Sequence, residues 1–213
     1  MSNLDQSAIE HTYRNWAKVY EWLTPIYLLG NEKRLRRETV GSLHLGPGQS
    51  VLDVACGTGR NFPLILEKIG PTGKLVGVDY TSDMLARARE LVEREGWKNV
   101  ELVQGDAARI ELGRKFDAAL CTLAISVIPE CRSALDRMCA HLKPGGRLAI
   151  GDAKRSSRWY GRPFNWLADL LGNVAAGVMS RQPWDLLRGV LDDYRYNEWF
   201  MGFFYVAAGE VQC

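Results

Sequence analysis

Features that would assign this chain to a familiar class at a glance are mostly missing. No two of its five cysteines (Cys56, Cys121, Cys131, Cys139, Cys213) form a CxxC pair, and none has metal-ligand spacing with His11, His44 or His141. A metal centre is therefore not expected, and odd-numbered, scattered thiols fit reduced cysteines in the cytosol. No run of about twenty apolar residues is free of charge, so no membrane span is expected. Residues 1–10 are polar and lack the apolar core of a signal peptide, which again suggests a cytoplasmic protein. Charge of one sign is scarce: 27 Lys+Arg against 25 Asp+Glu leave +2, too little to make nucleic acid the default partner. There is no internal repeat and no low-complexity stretch. The 213 residues, 46% hydrophobic and 24% charged, suit one α/β domain.

Two phosphate-binding signatures are absent as well. The only glycine-rich turn that follows an apolar run is Val51-Leu52-Asp53-Val54-Ala55-Cys56-Gly57-Thr58-Gly59-Arg60-Asn61. It lacks the Gly-Lys-Ser/Thr ending of a phosphate loop. It also fails to supply G-x-G-x-x-G, and an acid precedes the turn where a pyrophosphate would sit. Apolar and β-branched residues up to Val54 predict a buried parallel strand. Ala55, Gly57 and Gly59 let the backbone turn sharply and approach a ligand closely.

Around this turn the chain alternates. An aromatic helical stripe over 9–29 (Tyr13, Trp16, Tyr20, Tyr27) is interrupted at Pro25, and a second helix over 33–45 stops at Gly46-Pro47-Gly48. Strands follow at 50–55, 74–79, 100–104, 116–122 and 147–152, with helices at 61–69, 82–95 (capped by Ser82) and 132–142 between them. Two later runs, 194–200 and 203–208, flank Met201-Gly202 and read as an antiparallel hairpin closing the sheet. The expected fold is a Rossmann-like, doubly wound, mainly parallel seven-stranded sheet with a C-terminal hairpin and N-terminal lid helices. It parses into a lid (1–48), a core (49–153) and substrate-side helices with the hairpin (154–213). Ligands of such sheets bind beyond the carboxyl ends of the strands.

Three acids mark those ends: Asp53, Asp79 and Asp106. Asp79 suits the two hydroxyls of a ribose, although a turn aspartate reads the same way. Asp106, in Gly105-Asp106-Ala107, suits an adenine amine, with Ala107 leaving room for the ring. Three carboxylates repel phosphate and favour a cationic nucleoside, S-adenosylmethionine rather than NAD.

The stretches VLDVACGTGRN, VGVDYTSDML, QGDAARI, FDAALCTLAISVIP and LKPGGRLAIGD, in that order, resemble the class I S-adenosylmethionine-dependent methyltransferases. The resemblance implies S-adenosylmethionine as cofactor and S-adenosylhomocysteine as product. By position it assigns Asp53, Ala55, Cys56 and Gly57 to the methionine portion and Asp79 to the ribose. Tyr80 and Met84 would flank the adenine, Asp106 and Ala107 would bind its edge, and Leu123 would face the sulfonium. Tyr20 and Asn61 are assigned to the cofactor too. Ala55 departs from the glycine that many members carry there. No catalytic base is identified, because in-line transfer from a good leaving group needs mainly positioning and exclusion of water.

Within the family, Tyr13–Glu21 resembles the lid of ubiquinone/menaquinone C-methyltransferases and bacterial phospholipid N-methyltransferases. Leu123–Pro129 resembles the phospholipid enzymes. The acceptor expected first is thus a phospholipid amine such as phosphatidylethanolamine, with C-methylation of a quinone precursor or another small molecule as the alternative. Aromatics interleaved with Arg14, Lys18 and 33–37, and again over 154–162, suit peripheral contact with an anionic inner-membrane surface; a solvated face is the plainer reading. The apolar stretch 164–179 would wall an acyl or isoprenoid pocket, and Tyr194, Tyr196 and Tyr205 would contact a head-group ammonium. A nicotinamide oxidoreductase and a non-catalytic binding module are the rivals of another class.

Overall fold

The computed structural model describes residues 30–156, 158–161 and 182–212. Tyr13, Arg14, Trp16, Lys18, Tyr20, Tyr27 and the apolar stretch 164–179, all given roles above, lie outside the described residues.

The described chain runs α1 (Glu32–Ser42), β1 (Ser50–Val54), α2 (Phe62–Ile69), β2 (Lys74–Asp79), α3 (Ser82–Glu95), β3 (Val100–Gln104), β4 (Phe116–Thr122), α4 (Cys131–Ala140), β5 (Leu142–Ala153), a 3-10 turn (Trp159–Gly161), α5 (Pro183–Leu187), β6 (Leu191–Trp199) and β7 (Phe204–Val211). The seven strands form one sheet in the order β3-β2-β1-β4-β5-β7-β6. β1 to β5 run parallel to one another, and β7 pairs antiparallel with both β5 and β6. The order reverses between β1 and β4, which places a cleft at their carboxyl ends.

Both faces of the sheet are covered, which is why β1 and β4 read as near-continuous apolar runs. Phe62, Ile65, Leu85 and Ala88 pack on one face, and Ala134, Leu135, Met138 and Leu187 on the other. Phe62 and Phe116 are fully buried, each contributing about 1.5–3 kcal/mol of transfer free energy. α1 lies tightly on the strand next to the cleft. A Cβ on Gly151 would stand 2.0 Å from Thr39 Oγ1, so only glycine lets this helix sit so close to β5.

Departures from expectation are confined to element ends. β5 begins at Leu142 rather than 147, because Leu142 pairs with Phe116 and an irregularity between Phe116 and Ala118 absorbs Pro144-Gly145. α4 therefore stops at Ala140. The hairpin strands are longer than expected, and the tip turns through Phe200, Met201 and Gly202, all with positive φ (49°, 57° and 81°). Ser82 is the first helical residue of α3 and not its cap. Thr81 holds the cap position, and its N–H is taken by Asp79 Oδ1 at 2.9 Å.

Candidate active site

The turn after β1 makes the floor of the cleft. Ala55, Gly57 and Gly59 all adopt left-handed backbone (φ 54°, 57° and 81°). Gly57 N–H donates to Asp79 Oδ2 at 2.8 Å, joining the mouths of β1 and β2. Gly59 has no room for a side chain, since a Cβ there would meet the Phe62 ring at 2.7 Å. Ala55 is the strained member: a left-handed L-residue costs roughly 1–2 kcal/mol. Replacing Ala55 by glycine should relieve that strain and, after the larger chain entropy of glycine is subtracted, raise unfolding free energy by about 0.5–1 kcal/mol in urea titration. Leu123, at the mouth of β4, is left-handed too (φ 56°), with its N–H held by Gly151 O at 2.8 Å. Strained backbone thus sits on both sides of the strand-order reversal, where functional sites tend to store it.

A buried polar network backs the turn. Arg36 on α1 donates through Nη1 to Asn61 Oδ1 (2.9 Å) and Thr122 Oγ1 (2.8 Å), and through Nε to Glu32 (2.9 Å). Arg60 closes on Glu32 at 2.6 Å. Burial pushes the Glu32 carboxyl up, but Arg60 and Arg36 outweigh it and hold it below the ordinary value. Asn61 Nδ2 donates to both oxygens of Asp53 (3.1 and 3.0 Å) and to Thr122 Oγ1 (2.9 Å).

Asp53 itself is fully buried. Burial pushes its carboxyl up to about 7, against the opposing effects of Asn61 and Arg36. Asp152, taking N–H groups from Ser126 and Ala153, is likewise raised by burial, to about 6. An acid with a raised folded pKa binds its proton more tightly when folded. Its contribution is full below the unfolded value near 4 and lost as pH rises through the folded value. The ligand-free protein should therefore melt at progressively lower temperature from pH 5 to pH 8, and Asp53→Asn should flatten that slope. A pH series of thermal denaturation checks it.

Ala55, Gly57, Asp79, Tyr80, Met84, Asp106, Ala107 and Leu123 line one cavity of about 160 Å³ with Arg36, Arg60 and Thr122. Asp53, Cys56 and Asn61 lie a layer beneath it: Asp53 is 0% exposed, Asn61 1% and Cys56 4%, with Cys56 Sγ turned to Gly57 O. These three, expected at the methionine portion of the cofactor, stand behind the residues that line the cavity, with Asn61 hydrogen-bonded to Asp53. Asp106 Oδ1 accepts from Ala108 N–H at 2.9 Å, and Oδ2 pairs with Arg109, which reaches on to Glu130 at 2.5 Å.

Arg36 was missed as a lining residue because it sits in a basic run, Lys33–Arg37, that reads as one exposed patch. The usable signal was helical register, since Glu32, Leu35, Thr39 and Val40 form the buried stripe of α1 and Arg36 borders it. Lys154 is a second correction. Expected on a basic exposed segment, it is buried, with its ammonium 2.7 Å from Glu198 and over the rings of Trp184 (5.0 Å) and Tyr196 (5.5 Å). The tyrosines proposed for a head group are engaged in the hairpin: Tyr205 is 0% exposed against Trp184 and Tyr196, Tyr196 donates to Glu198, and Tyr194 to Trp184 O. The cation in that aromatic box is the chain's own lysine. His141 is structural, accepting from Leu112 N–H at 3.0 Å. Among the described residues no cluster of three or more His, Cys, Asp or Glu is gathered as for a metal, and no helix is long and apolar enough to cross a membrane.

A family model described as "Methyltransferase domain" matches residues 45–182 of this chain. The chain belongs to that family. The methyltransferase is 33% identical over 180 residues to the demethylmenaquinone methyltransferase of Listeria welshimeri, covering 78% of this chain and 76% of that protein. It is 27% identical over 184 residues to the protein of the same name from Desulfitobacterium hafniense, covering 83% and 73%. Its fold is shared by the crystal structure of an S-adenosylmethionine-dependent methyltransferase from Aquifex aeolicus (TM-score 0.59, 21% identity, 83% of this chain and 89% of that one). It is an S-adenosylmethionine-dependent enzyme. The cleft suits that cofactor chemically: Asp79, anchored by the N–H groups of Gly57 and Thr81, presents a carboxylate to the cavity at the mouth of β2, an acceptor of the kind ribose hydroxyls need.

Proposed function

We propose that the enzyme transfers methyl to a ring carbon of a reduced, lipophilic quinone of the demethylmenaquinol kind. The name carried by its relatives supports this reading. The observation that carries it is the wall past Thr122. Leu123, Ala124, Val127, Ile128 and Pro129 line the cavity as one uncharged stretch after β4. The lining acids, Asp79 and Asp106, stand at the mouths of β2 and β3 instead.

The charge balance of the two candidate reactions explains why this matters. An amine acceptor turns a sulfonium into an ammonium, so positive charge remains at the transfer end and wants an acid beside it. A phenolate-activated ring carbon attacks the methyl along the sulfonium axis, the C–S bond breaks to the thioether, and the ring carbon then loses its proton. That attack neutralises charge, and a dry apolar wall favours it. S-adenosylmethionine supplies the methyl group. Asp79 holds the ribose, Asp106 and Ala107 meet the adenine, and Arg36 with Arg60 face the methionine carboxylate. Leu123, fixed by Gly151, borders the reacting carbon and excludes water. The phospholipid amine expected first finds no such support at this end.

Labelled cofactor, a reduced prenylated naphthoquinol and phosphatidylethanolamine vesicles in one incubation test the reading. Label on a quinol ring carbon is expected. Label confined to the phospholipid fraction would overturn it.

A further inference from the structure

The hairpin tip and the segment after β5 build one exposed face beside the acceptor end of the cavity. Ser156 Oγ–H donates to Met201 O at 2.5 Å, Lys154 N–H to Phe203 O at 2.8 Å, and Arg158 to Glu198 at 2.9 Å, so Lys154, Ser156 and Arg158 tie the segment after β5 to the tip. On it Trp159 is 79% and Phe200 38% exposed. Trp199 and Phe204 stack behind them at 6.1 Å, in a cluster that also packs Leu123 and Ala153.

Cations border this apolar face. Arg34 lies over the Trp199 ring at 5.1 Å, and exposed Lys33 and Arg37 flank it on α1. Of the neighbouring acids, Glu198 is held between Lys154 and Arg158, Glu32 is buried under Arg36 and Arg60, and exposed Glu38 stands 3.8 Å from Arg34, which leaves Lys33 and Arg37 as the net positive charge of this border. The turn itself is costly. Phe200 and Met201 take left-handed backbone, where glycine or asparagine would be at ease, yet they present large apolar side chains near the surface. The Phe200 ring packs on Phe203 and Phe204 (6.4 and 6.0 Å) and still leaves 38% of the residue open to solvent beside Trp159.

We propose that this face docks on a bilayer carrying anionic lipid, with Trp159 and Phe200 entering the head-group boundary and Lys33, Arg34 and Arg37 meeting the lipid charge. Docking turns the acceptor end of the cavity toward the membrane. Its purpose rests on the reading of a lipophilic acceptor, but the binding itself does not require that acceptor.

The test is flotation of the full chain with vesicles of phosphatidylcholine alone or with about a third phosphatidylglycerol. Binding is expected to need the anionic lipid and to fall at about 0.5 M salt, where screening shortens to a few ångström. Trp159→Ser with Phe200→Ser should weaken it about tenfold or more by removing apolar insertion. Lys33→Gln with Arg37→Gln should weaken it by a similar factor, at about fivefold per cation. Unchanged S-adenosylhomocysteine affinity verifies that each variant is folded.

Absence of flotation with the anionic vesicles, or flotation of both double variants equal to the unmodified protein, overturns the docking. A soluble short-chain naphthoquinol separates the two readings. The docking variants should methylate it normally while losing activity on a vesicle-embedded quinol. Flotation without methylation of either quinol would leave the docking intact and sink the acceptor assignment.

Discussion

Asp79→Ala should lower affinity for S-adenosylhomocysteine by about a hundredfold, measured by calorimetric titration. Two ribose hydroxyls on one carboxylate are worth about 1.5 kcal/mol each at the lower bound for charged acceptors, and about 1.4 kcal/mol is a factor of ten. The side chain also accepts the N–H groups of Gly57 and Thr81, so the turn loses its anchor in the same step. Asp79→Asn keeps the shape and one acceptor, and should fall between the two. Burial raises the Asp79 carboxyl, against the N–H groups of Thr81 and Gly57. A protonated carboxyl accepts less well, so cofactor affinity should begin to fall at a higher pH than for an ordinary surface aspartate. Equal affinity in Asp79→Ala and the unmodified protein would remove the ribose assignment.

Arg36→Met should cost about 2–3 kcal/mol of unfolding free energy, somewhat less than breaking an isolated buried pair because Arg60 still faces Glu32. Methionine fills most of the volume but leaves Asn61 Oδ1 without its Arg36 donor and removes the guanidinium that donates to Thr122. KM for S-adenosylmethionine should rise at the same time, since the guanidinium lines the cavity. Arg36→Lys should not rescue it: an ammonium cannot span Glu32, Asn61 and Thr122 as the planar fork does. Urea denaturation and steady-state kinetics check the two halves separately. A loss of stability with unchanged KM would reduce Arg36 to a strut of α1.

Much of the scaffold was legible because its signals are local. The ends of β2, β3 and β4 were recoverable residue by residue, since each is a short apolar run bounded by turn residues. Asp79 and Asp106 were legible as cavity-lining candidates for the same reason, each sitting at or just past the end of a readable strand, whereas Leu123 came with the family resemblance. Strand β5 was misjudged at its start because pairing of Leu142 with Phe116 draws a Pro-Gly segment into the ladder, a long-range bond that no local propensity announces.

The basic and aromatic residues show where local reading fails. Lys33, Arg34, Arg36 and Arg37 are consecutive or nearly so, yet Arg36 turns into the cleft, Arg34 covers Trp199, and the other two face solvent. Lys154 follows the same rule, leaving a basic run for an aromatic box completed by β6 and α5.

By itself the sequence determined the parallel sheet, the glycine turn at 55–59 and the acids at the strand ends, because strand ends and turns are dictated by neighbours in the chain. Only the tertiary structure decided that Asp53 stands behind the cavity lining, that Arg36 lines the cavity, and that the wall past Thr122 is apolar. Those outcomes depend on α1 crossing β5 at Gly151 and on the hairpin folding back beside it, and contacts between segments a hundred residues apart leave no periodicity to read.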